Sequence, residues 1–325
     1  LVRPERGVVA LEVPGAWAKV TIHDRELLPL VHDLATGRSS AELGAEARAH
    51  SEEAISEVLA LMDWCGLLDG AGADGWSAHD LFLHTQSRMG YARTVLGKTS
   101  PGGETASSAA GATVDTARRV ALRLPDLAHL LAVDPPHALV SERRLSDSRH
   151  GSDPLTADQL SEFLFRTLHE RGGRRPYPSA GSCYPLRAYL AVHSCAGVEP
   201  GLYAYDAAVH ELTRIGPPGP GLERLLWNAA GAANIDQPPQ MLLVLAARYA
   251  RTRRVYGDLA YSLILKEVGA VIQTALMSAA AMGLAVCPLG CGDSLLFSDL
   301  TGVDTLTETS VGELMLGSRE ERLQG

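Results

Sequence analysis

The sequence predicts an α+β protein in which a mixed sheet is flanked by helices, behind a smaller unit of short strands and helices. Three stretches carry that prediction. Residues 240–247 form an apolar run of strand length, the pattern of a central strand buried on both faces. Residues 201–205 and 211–215 are strand-like runs joined by a hairpin-type turn over 206–210. Residues 256–282 are apolar over a length suited to one long helix or a pair of helices.

The bulk properties narrow the class. A chain of 325 residues, 46% of them apolar, can bury a sizeable core as two domains or one large one. A net charge of -9 argues against non-specific binding to nucleic acid. The five cysteines (65, 183, 195, 287 and 291) are odd in number and widely spread, which fits reduced thiols in a cytoplasmic protein. No signal-peptide pattern opens the sequence. Residues 270–289 approach the length of a membrane span, but Gly283 and Pro288 break the run. A buried helix to Met282, a turn at Gly283 and a short strand is the expectation, with no membrane partner.

In chain order, residues 1–69 read as a separate winged-helix-like unit. Residues 8–13 and 18–22 are short strands joined by Pro14-Gly15. Residues 26–35 place Leu27, Leu28, Leu30, Val31 and Leu34 at helical spacing, and Gly37 stops that helix. Ser39-Ser40 cap a second helix, and Ser51 caps a third over 54–64. Glu52, Glu53, Glu57 and Asp63 make the third helix acidic, which disfavours a DNA-reading role. Peptide binding by strand addition and a stabilising appendage both remain open for this unit.

Residues 70–137 read as a connecting segment. Gly70, Gly72 and Gly75 match G-x-G-x-x-G, but a helix precedes them where a dinucleotide site needs a strand. Gly97-Lys98-Thr99 lacks the earlier glycine of a P-loop, since that position is Ala92. Residues 99–116, rich in Ser, Gly, Ala and Thr, read as a flexible linker.

The larger unit spans 138–325. Arg143, Arg144 and Ser146 sit at a helix end. Guanidinium forks beside a hydroxyl suit a phosphate, and a solvated basic helix end explains them equally well. Thr156 caps a helix that aligns Leu160, Phe163, Leu164 and Leu168. Residues 174–185 are the most distinctive stretch. Pro176, Pro178 and Pro185 stiffen it, while Ser179, Ala180 and Gly181 carry almost no side chain. Such a backbone is a tight turn, or a flat surface that offers N–H groups to a planar ligand. Glu267 stands out on an apolar helix, because burying a carboxylate without a partner is costly. Cys287 and Cys291 have no histidine nearby in sequence, so no metal site is expected.

Taken in order, several of these segments resemble the SagB/ThcOx-type dehydrogenases of the FMN-dependent nitroreductase superfamily. The segments are Pro178-Ser179-Ala180-Gly181, Tyr184-Pro185, Pro200 to Asp206 with His210, Tyr256-Gly257 with Tyr261, Glu267-x-Gly269 with Gln273, Gly283-Leu284 and Gly290 to Asp293. Arg144-x-Ser146 is similar to the superfamily's phosphate-binding Arg-x-Ser.

The resemblance covers about residues 138–318 and implies a nitroreductase-like fold, FMN as cofactor and an intimate homodimer. It implies oxidation of thiazolines or oxazolines to thiazoles or oxazoles in a ribosomally made precursor peptide, as in thiopeptide-like antibiotic biosynthesis. It places Arg144 and Ser146, with Arg143 as helper, on the FMN phosphate, and Pro178, Ser179, Ala180 and Gly181 along the isoalloxazine. Glu267 and Gln273 are placed near the flavin or the subunit interface, and Tyr256 is the catalytic tyrosine. The first unit is similar, more loosely, to precursor-peptide recognition domains, which implies a cyclodehydratase as a further partner. Two positions depart from the pattern: Val255 replaces the lysine before the tyrosine, and Ser148 replaces a frequent arginine. A reductase of nitro compounds or quinones and a non-catalytic peptide-binding subunit are the competing expectations.

Overall fold

The computed structural model describes residues 2–5, 8–12, 18–35, 51–68, 79, 83–84 and 119–320. The chain forms two compact units, Leu1–Arg93 and Thr94–Gly325.

In the first unit, β1 (Val2–Glu5), β2 (Val8–Leu11) and β3 (Val20–Ile22) form an antiparallel sheet in that order. Helices α1 (Leu28–Ala35) and α2 (Glu52–Trp64) bring Leu30 against Ile55 and Leu59, while Met62 meets Leu11 and Ile22. Ser51 caps α2 as its sequence predicts, its Oγ accepting the Ala54 N–H at 3.2 Å. The helix expected behind Ser39-Ser40, the glycines at 70–75 and the linker at 99–116 lie outside the described residues.

The second unit is built on a seven-stranded sheet. Its strands are β4 (Arg119–Ala121), β6 (Leu186–Val192), β8 (Gly201–Asp206), β9 (Glu211–Gly216), β10 (Met241–Ala247), β11 (Leu284–Leu289) and β12 (Thr309–Ser318). Their order is β11-β12-β10-β6-β8-β9-β4. Two further short strands, β5 (Leu155–Thr156) and β7 (Cys195–Ala196), pair in parallel on their own. The α+β class holds, but the large sheet is antiparallel in every pair, where a mixed sheet is the sequence expectation. The reason is partner choice. Helix α6 (Pro220–Ala232) carries the chain from β9 past β8 and β6, so β10 pairs antiparallel with β6 and not with its predecessor. Residues 119–121 form the sheet's far edge and Leu127–Val133 a helix (α3), both within the span read as a connection.

Alternation along the strands feeds two apolar layers. On one face Leu186, Leu190, Leu243, Leu245, Leu314 and Leu316 pack with α5 (Ala157–Thr167) and α8 (Ala260–Met282). On the other, Tyr189, Leu242, Val244 and Met315 pack with α6 and α9 (Ser294–Thr301), a helix that the sequence reading did not anticipate. Residues 249–282 are long and apolar enough to cross a membrane by length and composition alone. Ile264, Val268, Val271 and Ala275 of that stretch lie in the core, so α8 is a core helix here. Gly257, at φ 54°, separates α8 from α7 (Tyr249–Tyr256), so 256–282 holds one long helix and a second helix precedes it at residues the sequence expectation did not cover. Gly283, at φ 68°, ends α8 as a left-handed cap.

Gln240 ties the far end of the sheet together. Its Nε2 donates to Gly151 O (2.9 Å), Asp153 O (3.0 Å) and Ser318 Oγ (3.0 Å), while its Oε1 accepts from the N–H groups of Leu155 and Ser318 at 3.0 Å. This clamp draws the segment after α4 (His137–Arg143) along the β11–β12 edge, where Asp147 N donates to Val286 O at 2.9 Å.

Candidate active site

The register brings four segments to one end of the sheet: the approach to β6, the exit from β10, the exit from β11 and the approach to β12. The approach to β6 is the 174–185 loop. Arg175 anchors it, donating through Nη1 to Tyr177 OH (2.9 Å) and to Leu186 O (2.7 Å). Tyr177 is 2% exposed and meets Tyr184 edge-on at 5.8 Å between ring centroids. Burial, opposed by the adjacent Arg175, pushes the Tyr177 phenol up to about 12.

Within the loop Ser182 N donates to Ser179 O and Cys183 N to Ala180 O, both at 3.1 Å. Gly181, Ser182 and Tyr184 all take positive φ (54°, 52° and 42°). Two of the three carry side chains, which costs about 1–3 kcal/mol each and persists only where the surroundings enforce it. The result is that Tyr184 N donates back to Ser179 Oγ at 2.8 Å. The stretch thus contains the rigid small-residue turn expected from its prolines, with Ser179, Ala180 and Gly181 half-buried and Pro178 exposed.

Helix α8 supplies the carboxylate beneath the loop. Glu267 is 4% exposed, its Oε2 accepts the Ser179 hydroxyl at 2.5 Å, and its Oε1 has no hydrogen-bond partner among the described residues. Burial raises this carboxyl to about 7, against the opposing pull of the Ser179 hydroxyl, Arg175 and Arg251. The Arg251 guanidinium, on α7, is half-buried and forms no ion pair among the described residues. Burial and the neighbouring Arg175 and Arg248 cations push its pKa down. Cys183 is raised by burial and then by Glu267. Tyr256, at the C-terminus of α7, is raised by burial and then by Cys183. Ser179, Cys183, Arg175, Arg251, Tyr256 and Glu267 therefore form one electrostatic set drawn from a loop and two helices.

The remaining predicted residues lie elsewhere. Arg143 ends α4 exposed, and Arg144 is half-buried just after it. Ser146 Oγ approaches Cys287 Sγ on β11 at 3.5 Å. Gln273 is exposed, and six residues along α8 turn it about 240° from Glu267, so the two do not share a face.

Sequence reasoning missed two carboxylates at this end of the sheet. Glu308 accepts from Tyr189 OH (2.6 Å), Arg248 Nε (2.9 Å) and Arg187 Nη1 (3.4 Å), locking the approach to β12 against the exit from β10. Glu313 on β12 is 4% exposed and its Oε1 has no partner among the described residues. Burial raises it to about 7, opposed by the Asp293 N–H and reinforced by the Asp293 carboxylate. A side chain at Gly292 would collide with it, so this glycine is a close-approach position. A lone Glu within the apolar run 311–316 was the available signal.

The chemistry of the set suits a planar, polar cofactor: a stiff surface of small residues, guanidinium groups, and a buried carboxylate oxygen without a partner among the described residues. The comparisons with known proteins agree in kind. The nitroreductase family profile matches residues 142–318. The Methanocaldococcus jannaschii protein MJ1384, which carries the name nitroreductase, is 34% identical over 171 residues, covering 52% of this chain and 83% of its own. A Ralstonia eutropha protein of the same name superposes at TM-score 0.53 with 22% identity, over 65% of this chain and 94% of its own, and shares the fold. The Escherichia coli microcin synthetase McbBCD complex with truncated pro-MccB17 superposes at TM-score 0.49 with 19% identity, over 65% and 88%, too distant a likeness to carry an argument about function. The chain belongs to the nitroreductase family, whose members are flavin oxidoreductases.

Proposed function

We propose that this chain is an FMN-dependent azoline dehydrogenase, oxidising thiazolines or oxazolines of a precursor peptide to thiazoles or oxazoles in the cytoplasm. The observation that carries the reading is the Ser179 loop seated on buried Glu267, in the same electrostatic set as Tyr256. An azoline becomes aromatic by losing a proton and a hydride from adjacent ring carbons. The chain must therefore hold a planar ring and handle a proton beside it. FMN, when bound, supplies the hydride acceptor.

In this reading Arg144 and Ser146, with Arg143 beside them, hold the FMN phosphate by charge-assisted hydrogen bonds. Pro178, Ser179, Ala180 and Gly181 offer the isoalloxazine a flat surface. Tyr256, a protonated phenol that burial and then Cys183 raise further, donates a hydrogen bond to the azoline ring and fixes its orientation. Exposed Gln273 belongs to the interface of a homodimer. The first unit takes the precursor peptide by strand addition, and a cyclodehydratase supplies the azoline.

The visible spectrum of the purified protein is the first test, and a flavin absorbance is expected. A colourless protein that FMN cannot reconstitute ends the reading and favours a non-catalytic peptide-binding subunit, the alternative that Val255 supports. With flavin present, mass spectrometry of a thiazoline peptide should show loss of two hydrogens per ring. Tyr256→Phe should slow that loss about 100-fold; unchanged turnover removes Tyr256 from the chemistry. NAD(P)H consumption with no azoline oxidation identifies a reductase of nitro compounds or quinones instead.

A further inference from the structure

We propose that Ser179 and Glu267 form a proton relay, in which the Ser179 hydroxyl takes the proton leaving the substrate ring and passes its own to Glu267. The inference rests on the azoline reading above, which requires a proton to leave. It assigns that proton a destination among the residues around the loop.

Elimination points to the carboxylate. Tyr256 and Cys183 are both raised and stay protonated at neutral pH, so neither accepts a proton readily. Arg175 and Arg251 remain cations. Val255 has no group to offer. Glu267 is the one acceptor in the set, yet at 4% exposure it cannot meet a peptide ring directly.

Ser179 bridges the gap. It is half-buried, and its proton is held by Glu267 Oε2 at 2.5 Å. A hydroxyl has one proton and two lone pairs. One lone pair accepts the Tyr184 N–H at 2.8 Å, and no other donor to Ser179 Oγ is found among the described residues. The second lone pair is therefore open to an incoming proton. The left-handed residues Gly181, Ser182 and Tyr184 hold that geometry. Arg175 and Arg251 help the carboxylate form exist at neutral pH despite its burial.

The step balances as follows. One ring C–H bond breaks, its proton bonds to Ser179 Oγ, and the Ser179 proton moves to Glu267 Oε2. The neighbouring C–H bond breaks, and FMN, when bound, would supply the two-electron oxidant that takes its electron pair as hydride. The ring gains a double bond and is oxidised by two electrons. Glu267 is a positioning residue here, acting through Ser179, and later returns the proton to solvent by the same route.

Infrared titration of the purified full chain tests the pair without turnover. Wild type should show a carboxylic-acid carbonyl band that ionises with a midpoint of about 7. Glu267→Gln should delete it, while Glu313→Gln deletes the second such band. Ser179→Ala should raise the Glu267 midpoint by about one unit, since it removes the hydroxyl that stabilises the charge. With a synthetic thiazoline peptide, kcat should rise with pH through that midpoint in wild type. Ser179→Ala and Glu267→Gln should both lower kcat about 100-fold, and Glu267→Gln should lose the rising limb. Glu267 already ionised at low pH, or wild-type kcat and pH profile in Ser179→Ala, overturns the relay. If Glu267→Gln fails to fold, the wild-type titration and Ser179→Ala decide. A wild type that titrates as expected but leaves every thiazoline untouched overturns the azoline reading and leaves the Ser179–Glu267 pair standing as a proton store.

Discussion

Glu308 and Glu267 are buried carboxylates at the same end of one sheet, and they are solvated by the protein in opposite ways. Glu308 receives a phenol and two guanidinium groups, so its charge is surrounded by donors. Among the described residues Glu267 receives one hydroxyl and leaves an oxygen bare, while Arg175 and Arg251 act on it through charge alone. A fully satisfied carboxylate holds parts of a fold together. A half-satisfied one destabilises the fold and persists where its unspent capacity serves another purpose.

Substitution separates the two. Glu308→Gln removes the carboxylate charge that Arg187 and Arg248 pair with and should cost about 3 kcal/mol of stability, read as a lower urea midpoint of the full chain. A change below the error of the measurement would place Glu308 among ordinary surface acids. Glu267→Gln should act on pH dependence instead. The folded-state pKa of Glu267, about 7, lies above its ordinary 4.5, so between those values the fold holds a proton that the unfolded chain does not. The stability tied to this group is present below that window and is lost as pH rises through about 7. Glu267→Gln should therefore flatten the decline between pH 5 and 8 by about 2 kcal/mol, and an unchanged decline would mean that Glu267 is charged throughout. Glu313 sharpens the comparison, being raised like Glu267 but seated under the backbone of Gly292. Gly292→Ala should cost about 1 kcal/mol in thermal or urea unfolding through overpacking, unless Glu313 swings clear.

How far each part was legible in the sequence follows from the range of the interactions involved. The Ser51 cap, the Gly283 stop and the stiffness of residues 174–185 are local, and they stand where the sequence places them. Glu267 was conspicuous because its neighbours on α8 are apolar. The direction of the sheet was not legible, because pairing partners are chosen across the fold and a helix between two strands implies a parallel neighbour only when they sit side by side. Glu308 was invisible for the same reason: it lies in a polar stretch, and its partners at 187, 189 and 248 are 121, 119 and 60 residues away. The three-residue strand at 119–121 is too short to show a period. Gln273 shares α8 with Glu267 but not its face, because six residues of helix turn it to the exposed side.

Strand order has a consequence for how the protein is made. β10 lies between β6 and β12, and β12 is the last strand in the chain order. Until residues 309–318 dock, β10 presents one open row of backbone donors and acceptors, and β11 has no neighbour in the sheet. The row on β10 is flanked by side chains that are buried along its whole length in the finished fold. An unpaired, apolar edge of that kind invites strands from other chains. The vulnerable interval in biosynthesis therefore runs from the formation of β10 to the arrival of β12, and the non-local pairing that closes it is of the slow-forming kind.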